Sequence, residues 1–414
     1  MPDPKVTVRM YRTGLGDCHL LTFTLAGGNE RHILIDCGYF PGSSFPGVTM
    51  EQIVKDIAAQ ADNKLDAVVV THEHQDHLQG FMDAASIFRQ MELAELWMAW
   101  TEQPEQKVVA EKRSIAGLEA AAAGLAFTGG DEERRMAAAV ESLLGFSKGT
   151  DQAFETIKSW FPASARKYWN PGDVLEPDWL PGVRVYVLGP PTDLKLLHKM
   201  TGKKNVEMYE LSEEQSGFAA AALDEKAPGT LSPFDGKYAR ASLAEPLATS
   251  YDAEDAEWRR IDNDWLFTAA RLALQLDSYT NNTSLVLAFE LKQSGRVLLF
   301  VGDAQIGNWI SWQSLEFEVG NKKVAAADLL ARTVFYKVGH HGSHNATLVE
   351  GGLLSMTSNE LRAAIPTNET WASKSKGWEM PNARLLKELR KRCVPPILRA
   401  DTSNAGELSI AYGL

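Results

Sequence analysis

The chain has 414 residues, of which 44% are hydrophobic and 23% charged, and its formal net charge is −12. This composition is ordinary for a soluble globular protein, and the acidic excess argues against a surface built for nonspecific nucleic-acid binding. A phosphodiester substrate is not excluded, because bound cations can invert the local field.

Membrane and secretion signals are not expected in this sequence. No run of about 18 apolar residues occurs, and the first residues lack the basic-then-apolar build of a signal peptide. The three cysteines, Cys18, Cys37 and Cys393, are too few for a disulfide framework. We therefore expect reduced thiols and a cytoplasmic protein without membrane contact.

Two acidic residues follow glycine-rich or strand-like segments near the start of the chain. Residues 6–11 alternate in polarity and predict a strand, after which Gly14 and Gly16 permit a tight loop that delivers Asp17. Residues 19–25 and 31–36 predict a hairpin that ends at Asp36. Asp36 is a candidate for orienting a metal-bound histidine, with turn capping as the alternative, and Asp17 has the same range of roles.

Residues 72–77 read His-Glu-His-Gln-Asp-His and directly follow the apolar, strand-like residues 65–70. Imidazoles suit zinc and related ions, and carboxylates suit harder ones. While the chain is extended, His72 and His74 project to one side, and a following helix turns Asp76 and His77 toward a second ion. The spacing therefore predicts a two-metal site, against the alternative of a histidine-rich polar loop.

This run resembles the signature of the metallo-β-lactamase fold. Similar motifs recur in order at residues 14–18, 33–38, 281–287, 298–303 and 337–343. The set is most similar to the nuclease-like domain of ComEC-type DNA-uptake proteins and their soluble relatives. The resemblance implies a single domain over residues 1–414, an α/β fold built as a four-layer αβ/βα metallo-β-lactamase sandwich with helical and loop insertions.

About half of the chain carries no such resemblance. Residues 101–170 are rich in helix formers and predict a helical insertion, and residues 201–262 are acidic, punctuated by proline and glycine, and predict a loop or flap. Hydrolytic β-lactamases place a metal-binding histidine between these segments. Here residues 189–191 read Gly-Pro-Pro, as in the ComEC-like group, and His198 is a weak substitute within a helix-like stretch.

The second half supplies the remaining candidates. The resemblance implies that Asp303, which follows a buried-strand pattern, bridges both metals, and that His340 or His341 completes the second site. The other histidine of this pair could bind substrate or act as an acid, and sequence alone leaves that choice open. Further candidates for supporting a ligand or contacting substrate are Asn282, Lys337, Ser343 and His344.

The last fifty residues hold a basic edge. Lys374, Lys376, Arg384 and Arg399 are candidates for an anion-binding surface, with a solvated surface as the alternative. The ComEC-like relatives often carry a histidine before the proline that starts the last helix, where this chain has Met380. A proton donor at that position is therefore in doubt.

These observations favour a metal-dependent hydrolase with two divalent ions, Zn²⁺ or Mn²⁺. Two ions about 3.5–4 Å apart would activate a shared hydroxide to attack a phosphodiester of nucleic acid or a nucleotide-like molecule. One alternative is an esterase for a small ester, lactone or phosphorylcholine-type substrate. Another is a module regulated by a protein partner, with a latent metal site. The oligomeric state is not predicted.

Overall fold

The computed structural model describes residues 2–106, 150–199, 279–402 and 407–414, all within one compact unit. Two seven-stranded sheets dominate this part of the chain. From edge to edge, the first sheet contains β18 (Ser409–Gly413), β1 (Lys5–Tyr11), β2 (Cys18–Thr24), β3 (Glu30–Cys37), β5 (Ala67–Val69), β7 (Leu96–Ala99) and β8 (Arg166–Trp169). β18, β1, β2 and β3 pair antiparallel, and β3, β5, β7 and β8 pair parallel.

The second sheet repeats this mixed plan. Its order is β17 (Leu398–Arg399), β16 (Arg362–Ile365), β15 (Thr333–Lys337), β12 (Val297–Phe300), β11 (Val286–Leu291), β10 (Val183–Gly189) and β9 (Val174–Leu175), with β12, β15, β16 and β17 parallel. Two small ribbons accompany the sheets: β4 (Lys64–Leu65) with β6 (Glu92–Leu93), and β13 (Glu316–Val319) with β14 (Lys322–Ala325).

Helices accompany each sheet. They are α1 (Met50–Gln60), α2 (Gln75–Asp83), α3 (Ala85–Phe88), α4 (Thr150–Ser159), α5 (Leu194–Leu197), α6 (Ile306–Trp312), α7 (Ala326–Ala331), α8 (Glu369–Trp371) and α9 (Ala383–Arg392). Sequence explains their starts: Thr49 and Gln52 form a reciprocal capping box on α1, and the side chain of Asn382 accepts hydrogen bonds from the first turn of α9.

Three apolar cores define the layers. One core lies between the sheets and combines residues of β1 to β3 with residues of β10 to β12. A second joins the outer face of the first sheet to α1, α2, α3 and α4, and a third joins the outer face of the second sheet to α6, α7 and α9. Helices therefore cover both outer faces, which confirms the predicted αβ/βα metallo-β-lactamase sandwich.

The predicted insertions are described only in part. Of residues 101–170, the structure describes 101–106 and 150–170, where α4 packs against the first sheet and β8 forms its edge. Residues 107–149 and the predicted flap at 201–262 lie outside the described residues.

The parallel strands determine where a site can form. β3 and β5 of the first sheet, and β12, β15 and β16 of the second, are parallel strands whose carboxyl ends run into the loops that carry the candidate ligands. Loops after parallel strands meet at one edge of a sheet, where α/β proteins usually bind ligands. The sequence motifs at residues 36, 71–77, 303 and 337–343 lie at the carboxyl ends of these strands or in the residues that directly follow them.

Candidate metal centre

Four buried side chains converge at this edge. Asp76 and His77 lie in the first turn of α2, Asp303 follows β12, and His341 follows β15. One ligand atom of each lies within 4.8 Å of the others. His77 Nε2 is 3.1 Å from Asp303 Oδ2, and His341 Nε2 is 2.7 Å from Asp76 Oδ2. The fold thus brings together residues that are more than 200 positions apart.

Asp36 holds the ring of His77. His77 Nδ1 donates to Asp36 Oδ2 at 2.8 Å, because a buried carboxylate beside an imidazole is the acceptor. The backbone N–H and the hydroxyl of Thr71 also donate to Asp36, each at 2.8 Å. With its proton on Nδ1, His77 presents the lone pair of Nε2 to the cluster, which is the arrangement that outer-shell carboxylates give metal-binding histidines.

Asp17, Asp36 and His77 also lie close enough together to hold an ion. The carboxylate of Asp36 is, however, already occupied by Thr71 and His77. Asp17 Oδ2 contacts the ammonium group of Lys337. This second group of residues therefore supports the first group and does not compete with it.

His72 and His74 form an adjacent pair. His72 Nε2 and His74 Nδ1 are 3.0 Å apart, and the rings of His72 and His77 lie 4.2 Å apart. The hydroxyl of Thr71 donates to Asp36 and so can accept from His72 Nδ1 at 3.0 Å. His72 then directs Nε2 toward His74 Nδ1, and the pair lies beside the four-residue cluster.

The geometry separates His341 from His340. His341 Nδ1 donates to the carbonyl oxygen of Pro366 at 2.7 Å, which leaves Nε2 facing Asp76. His340 instead directs Nδ1 to Gln305 and Ser343, at 3.2 and 2.9 Å, and its backbone N–H donates to Asp303. The backbone φ angles are 41° at His340 and 52° at His341, and a non-glycine residue adopts such positive values at some cost in energy.

A lysine is buried beneath the cluster. Lys337 Nζ donates to the carbonyl oxygen of Gly302 at 2.7 Å and to Asp303 Oδ1 at 3.2 Å, and it also contacts Asp17. Burial would lower the pKa of Lys337, but Asp17 and Asp303 outweigh burial and raise it. A charged ammonium group therefore fixes one oxygen of Asp303 and leaves Oδ2 facing His77.

The field in the cluster favours positive charge. Burial would lower the pKa of His77, but the carboxylates of Asp303, Asp36, Asp76 and Asp17 raise it well above its ordinary value. Burial would raise the pKa of Asp76, yet His77 and His341 lower it to about 2. Among the described residues, His77 Nε2, Asp76 Oδ1 and Asp303 Oδ2 are buried and make no hydrogen bond. Such atoms are costly unless satisfied, and a divalent cation would satisfy all three.

The remaining predicted residues lie around this cluster. Asn282 is fully buried; its amide donates to the carbonyl oxygens of Leu197 and Lys199 and accepts from the backbone of α6 and of Gln305, so it ties loops together. Ser343 supports His340, as described above. His344 is half-buried, and burial together with His340 lowers its pKa to about 4.

Sequence reasoning missed three supporting residues. Thr71 braces Asp36, Ser284 accepts the backbone N–H of Asp303 at 3.0 Å, and Gln305 contacts His340. Thr71 and Ser284 each sit at the border of a polar motif and an apolar strand, a position that could have drawn attention to them. Gln305 carries no comparable signal.

Between the two predicted insertions, where the hydrolytic β-lactamases carry the metal-binding histidine of their third motif, the loop at residues 189–191 holds no imidazole. Residues 189–191 are Gly-Pro-Pro, and the carbonyl oxygen of Pro190 accepts a hydrogen bond from Trp100 Nε1 at 3.0 Å. His198 stacks on Tyr279 with ring centres 4.4 Å apart and planes at 4°. Its ring is therefore engaged in packing at that place.

Comparison with known proteins agrees with this geometry. Residues 14–95 match the model of the Metallo-beta-lactamase superfamily. A segment of 59 residues is 39% identical to Ribonuclease J of Sinorhizobium meliloti; it covers 14% of this chain and 10% of that protein. Among the described residues, no helix is long and apolar enough to cross a membrane.

Fold, site and similarity define a class of protein. The chain has the metallo-β-lactamase fold, and the matched segment contains Asp17, Asp36 and the 72–77 run. Its buried histidine and aspartate cluster is of the kind that holds divalent metals in that superfamily. These are the features of a metal-dependent hydrolase.

Proposed function

We propose that this protein hydrolyses phosphodiesters of nucleic acid or of nucleotide-like molecules, with two divalent ions, Mn²⁺ or Zn²⁺. The observation that carries the proposal is the convergence of Asp76, His77, Asp303 and His341, with His72 and His74 beside them. The short similarity to Ribonuclease J and the motif resemblance to the ComEC-like group support nucleic acid as the substrate class. The free cysteines fit a reducing, cytoplasmic setting.

The donor atoms divide naturally between two ions. His72 and His74 would hold one ion, Asp76, His77 and His341 the other, and Asp303 would lie between them. Bound ions would supply Lewis-acid activation of water and stabilisation of charge on the phosphate oxygens. Carboxylate oxygens and the missing third-motif histidine make the site hard enough for Mn²⁺ to rival Zn²⁺.

His340 acts in this proposal as a hydrogen-bond donor to the substrate. Asn345 Nδ2 donates to Gln305 Oε1 at 3.0 Å, which orients the Gln305 amide so that its Nε2 donates to His340 Nδ1. The hydroxyl of Ser343 reaches both His340 Nδ1 and Asn345 Oδ1. His340 therefore carries its proton on Nε2, and because burial lowers its pKa to about 4, the ring is neutral at pH 7.

The role of each histidine can be separated experimentally. We expect His341→Gln to lose bound metal, because Nε2 would no longer face Asp76. His340→Gln should retain metal and lose turnover, with kcat falling by about 10²-fold, as is common for an acid–base or donor group. Metal content by plasma mass spectrometry, measured beside kcat, distinguishes them. Equal metal loss in both variants would contradict the assignment.

The activity itself is tested with bis(p-nitrophenyl) phosphate and with labelled single- and double-stranded DNA and RNA, each with Mn²⁺, Zn²⁺ or chelator. We expect metal-dependent cleavage by the wild type and none by Asp303→Asn. The control variant Asp178→Asn, changed at an exposed position, should cleave like the wild type. Hydrolysis of carboxylic esters with no phosphodiester cleavage would instead identify an esterase. Stoichiometric bound metal with no turnover of either would refute the proposal.

A further inference from the structure

Lys376, on the segment that follows β16, lies among three aromatic rings. Lys376 Nζ is 4.8 Å from the ring centre of Phe40, 5.8 Å from that of Trp371 and 5.9 Å from that of Trp378. Phe40 packs against both tryptophans, at 5.0 and 6.2 Å between ring centres. We call these four residues the lysine cradle.

The segment that carries Lys376 is attached to the candidate metal centre at both ends. At its start, the carbonyl oxygen of Pro366 accepts from His341 Nδ1 at 2.7 Å. At its end, the backbone N–H of Asn382 donates to the carbonyl oxygen of Gly342 at 2.8 Å. Gly342 has φ +84°, and a Cβ there would lie 2.8 Å from Pro381, so glycine permits this close contact.

Phe40 belongs to a second loop that also packs on the centre. A Cβ at Gly38 would lie 2.3 Å from the carbonyl carbon of Asp76, so this loop touches the backbone between two candidate ligands. The backbone N–H of Phe40 donates to the carbonyl oxygen of Leu15 at 2.6 Å, and both residues pack with Ala372 in one apolar cluster. The cradle is therefore built from the two loops that border the metal centre.

From this placement we propose that the lysine cradle is a subsite for the nucleotide next to the scissile phosphodiester. Lys376 would bind the flanking phosphate, and Trp371 and Trp378 would contact the base. The inference rests on the proposed function and extends it, because it assigns substrate recognition to residues outside the metal centre.

Charge supports the assignment. The chain carries a net charge of −12, so a polyanionic substrate needs a local cation outside the metal centre as well. Of the basic residues suggested from the sequence, Arg399 is paired with Asp401 and Glu369. Neutralisation by two carboxylates leaves Arg399 unsuited to anion binding.

The surroundings of Lys376 suit an anion and a planar group. Burial lowers the pKa of Lys376, and a phosphate would offset that loss of solvation. The lysine ends a π-helical turn, Ala372–Lys376, a geometry that occurs often at functional sites. Trp371 and Trp378 are half-buried, and stacking of a base on an aromatic side chain contributes roughly 1–3 kcal/mol per base in other proteins.

The test is calorimetric binding of thymidine 3′,5′-bisphosphate to the full-length protein with Mn²⁺. This probe has a base and two phosphates but no phosphodiester, so a phosphodiesterase leaves it intact. We expect Lys376→Gln to weaken binding roughly tenfold, as for loss of a charged hydrogen bond. Lys374→Gln, at an exposed position of the same turn, should bind like the wild type.

Two further arms locate the contacts. Trp378→Leu should weaken binding of the bisphosphate but leave binding of inorganic phosphate unchanged, whereas Lys376→Gln should weaken both. Thermal unfolding of every variant checks the fold. Equal affinity in wild type and Lys376→Gln, with or without a lower Tm, would overturn the proposal and leave the cradle as packing alone. Absence of binding in the wild type would also overturn it.

Failure of this subsite can be distinguished from failure of the proposed function. Bis(p-nitrophenyl) phosphate has no flanking phosphate, so its hydrolysis by the wild-type protein tests the proposed activity independently of the subsite. If the protein cleaves that substrate but binds the bisphosphate equally well with and without Lys376, only the subsite proposal is refuted. Lys376-dependent binding without any phosphodiester cleavage would remove the proposed activity and retain an anion site.

Discussion

In the first sheet a carboxylate holds an imidazole, whereas in the second sheet an ammonium group holds a carboxylate. Asp36 fixes His77 through a 2.8 Å hydrogen bond, and Lys337 fixes Asp303 through a 3.2 Å contact. The first arrangement places a negative charge behind an imidazole ligand, and the second places a positive charge behind a carboxylate ligand. The two halves therefore orient their ligands by opposite charges, and the sum leaves a cluster that still favours a cation.

We expect the largest effect from a change of Asp303, because this residue contacts both His77 of the first half and Lys337 of the second half. Asp303→Asn removes the carboxylate that lies 3.1 Å from His77. We expect metal affinity to fall by more than the about 10–100-fold typical of an outer-shell change. Equilibrium binding of Mn²⁺, followed by calorimetry, gives the value. A variant that binds Mn²⁺ as the wild type does would show that Asp303 is not a ligand.

The ammonium group of the second sheet can be tested through stability. Lys337→Met leaves Asp17 and Asp303 buried without their cation, which should lower the free energy of unfolding by about 3–5 kcal/mol in chelator. Added Mn²⁺ should recover part of this loss, because the ion supplies positive charge at the same place. Urea unfolding measures both quantities.

A surface lysine provides the control for that experiment. Lys323 pairs with Glu316, and both side chains are exposed. Lys323→Met should leave stability close to that of the wild type, with no dependence on Mn²⁺, because an exposed ion pair is screened by solvent. If Lys337→Met behaved like Lys323→Met, the ammonium group would have no special role in the second half.

The carboxylate of the first sheet should matter more for metal binding than for folding. Asp36→Asn keeps the shape of the side chain but weakens its hold on His77 Nδ1. We expect metal affinity to fall by about 10–100-fold, with His77 and Thr71 otherwise in place. Calorimetry with Mn²⁺ checks the affinity, and circular dichroism checks the fold. Unchanged affinity would mean that the orientation of His77 does not depend on Asp36.

The smallest expected effect concerns a histidine outside the ligand set. Burial lowers the folded-state pKa of His344 from 6.5 to about 4. As the pH falls, His344 is therefore protonated in the unfolded chain before it is protonated in the folded protein. The neutral, buried His344 contributes fully to the free energy of unfolding above pH 6.5, and this contribution is lost as the pH falls toward 4. His344→Gln should reduce the loss of stability between pH 7 and 4 by on the order of 1 kcal/mol. Unfolding curves in chelator at both pH values provide the comparison, and an identical pH dependence in the variant would contradict it.

The two halves also differ in how readily their candidate ligands could be predicted from the sequence. Residues 72–77 are contiguous, so the spacing alone placed four candidate ligands at the end of one strand. Asp303 and His341 are separated from that run by more than 200 residues, and they were found through motif resemblance and through their position after apolar strands. The fold class followed from the same motifs and is confirmed by the three apolar cores that join two helical layers and two sheets.

Some features required the structure because they depend on contacts between distant segments. The proposal that His341, and not His340, is a ligand rests on contacts with the carbonyl oxygen of Pro366 and the amide of Gln305, and neither contact has a sequence pattern. The lysine cradle joins Phe40 to residues more than 300 positions later, so its four members appear in the sequence only as an aromatic residue in a loop and a basic edge.

Diffraction from crystals soaked in Mn²⁺ tests most directly whether both sheets contribute ligands to one metal centre. Data collected at the manganese absorption edge would locate the ions independently of the protein atoms. We expect two anomalous peaks, one beside His72 and His74 and one among Asp76, His77 and His341, with Asp303 next to both. Peaks bound only by the 72–77 run, or no peak at Asp303, would contradict a shared centre.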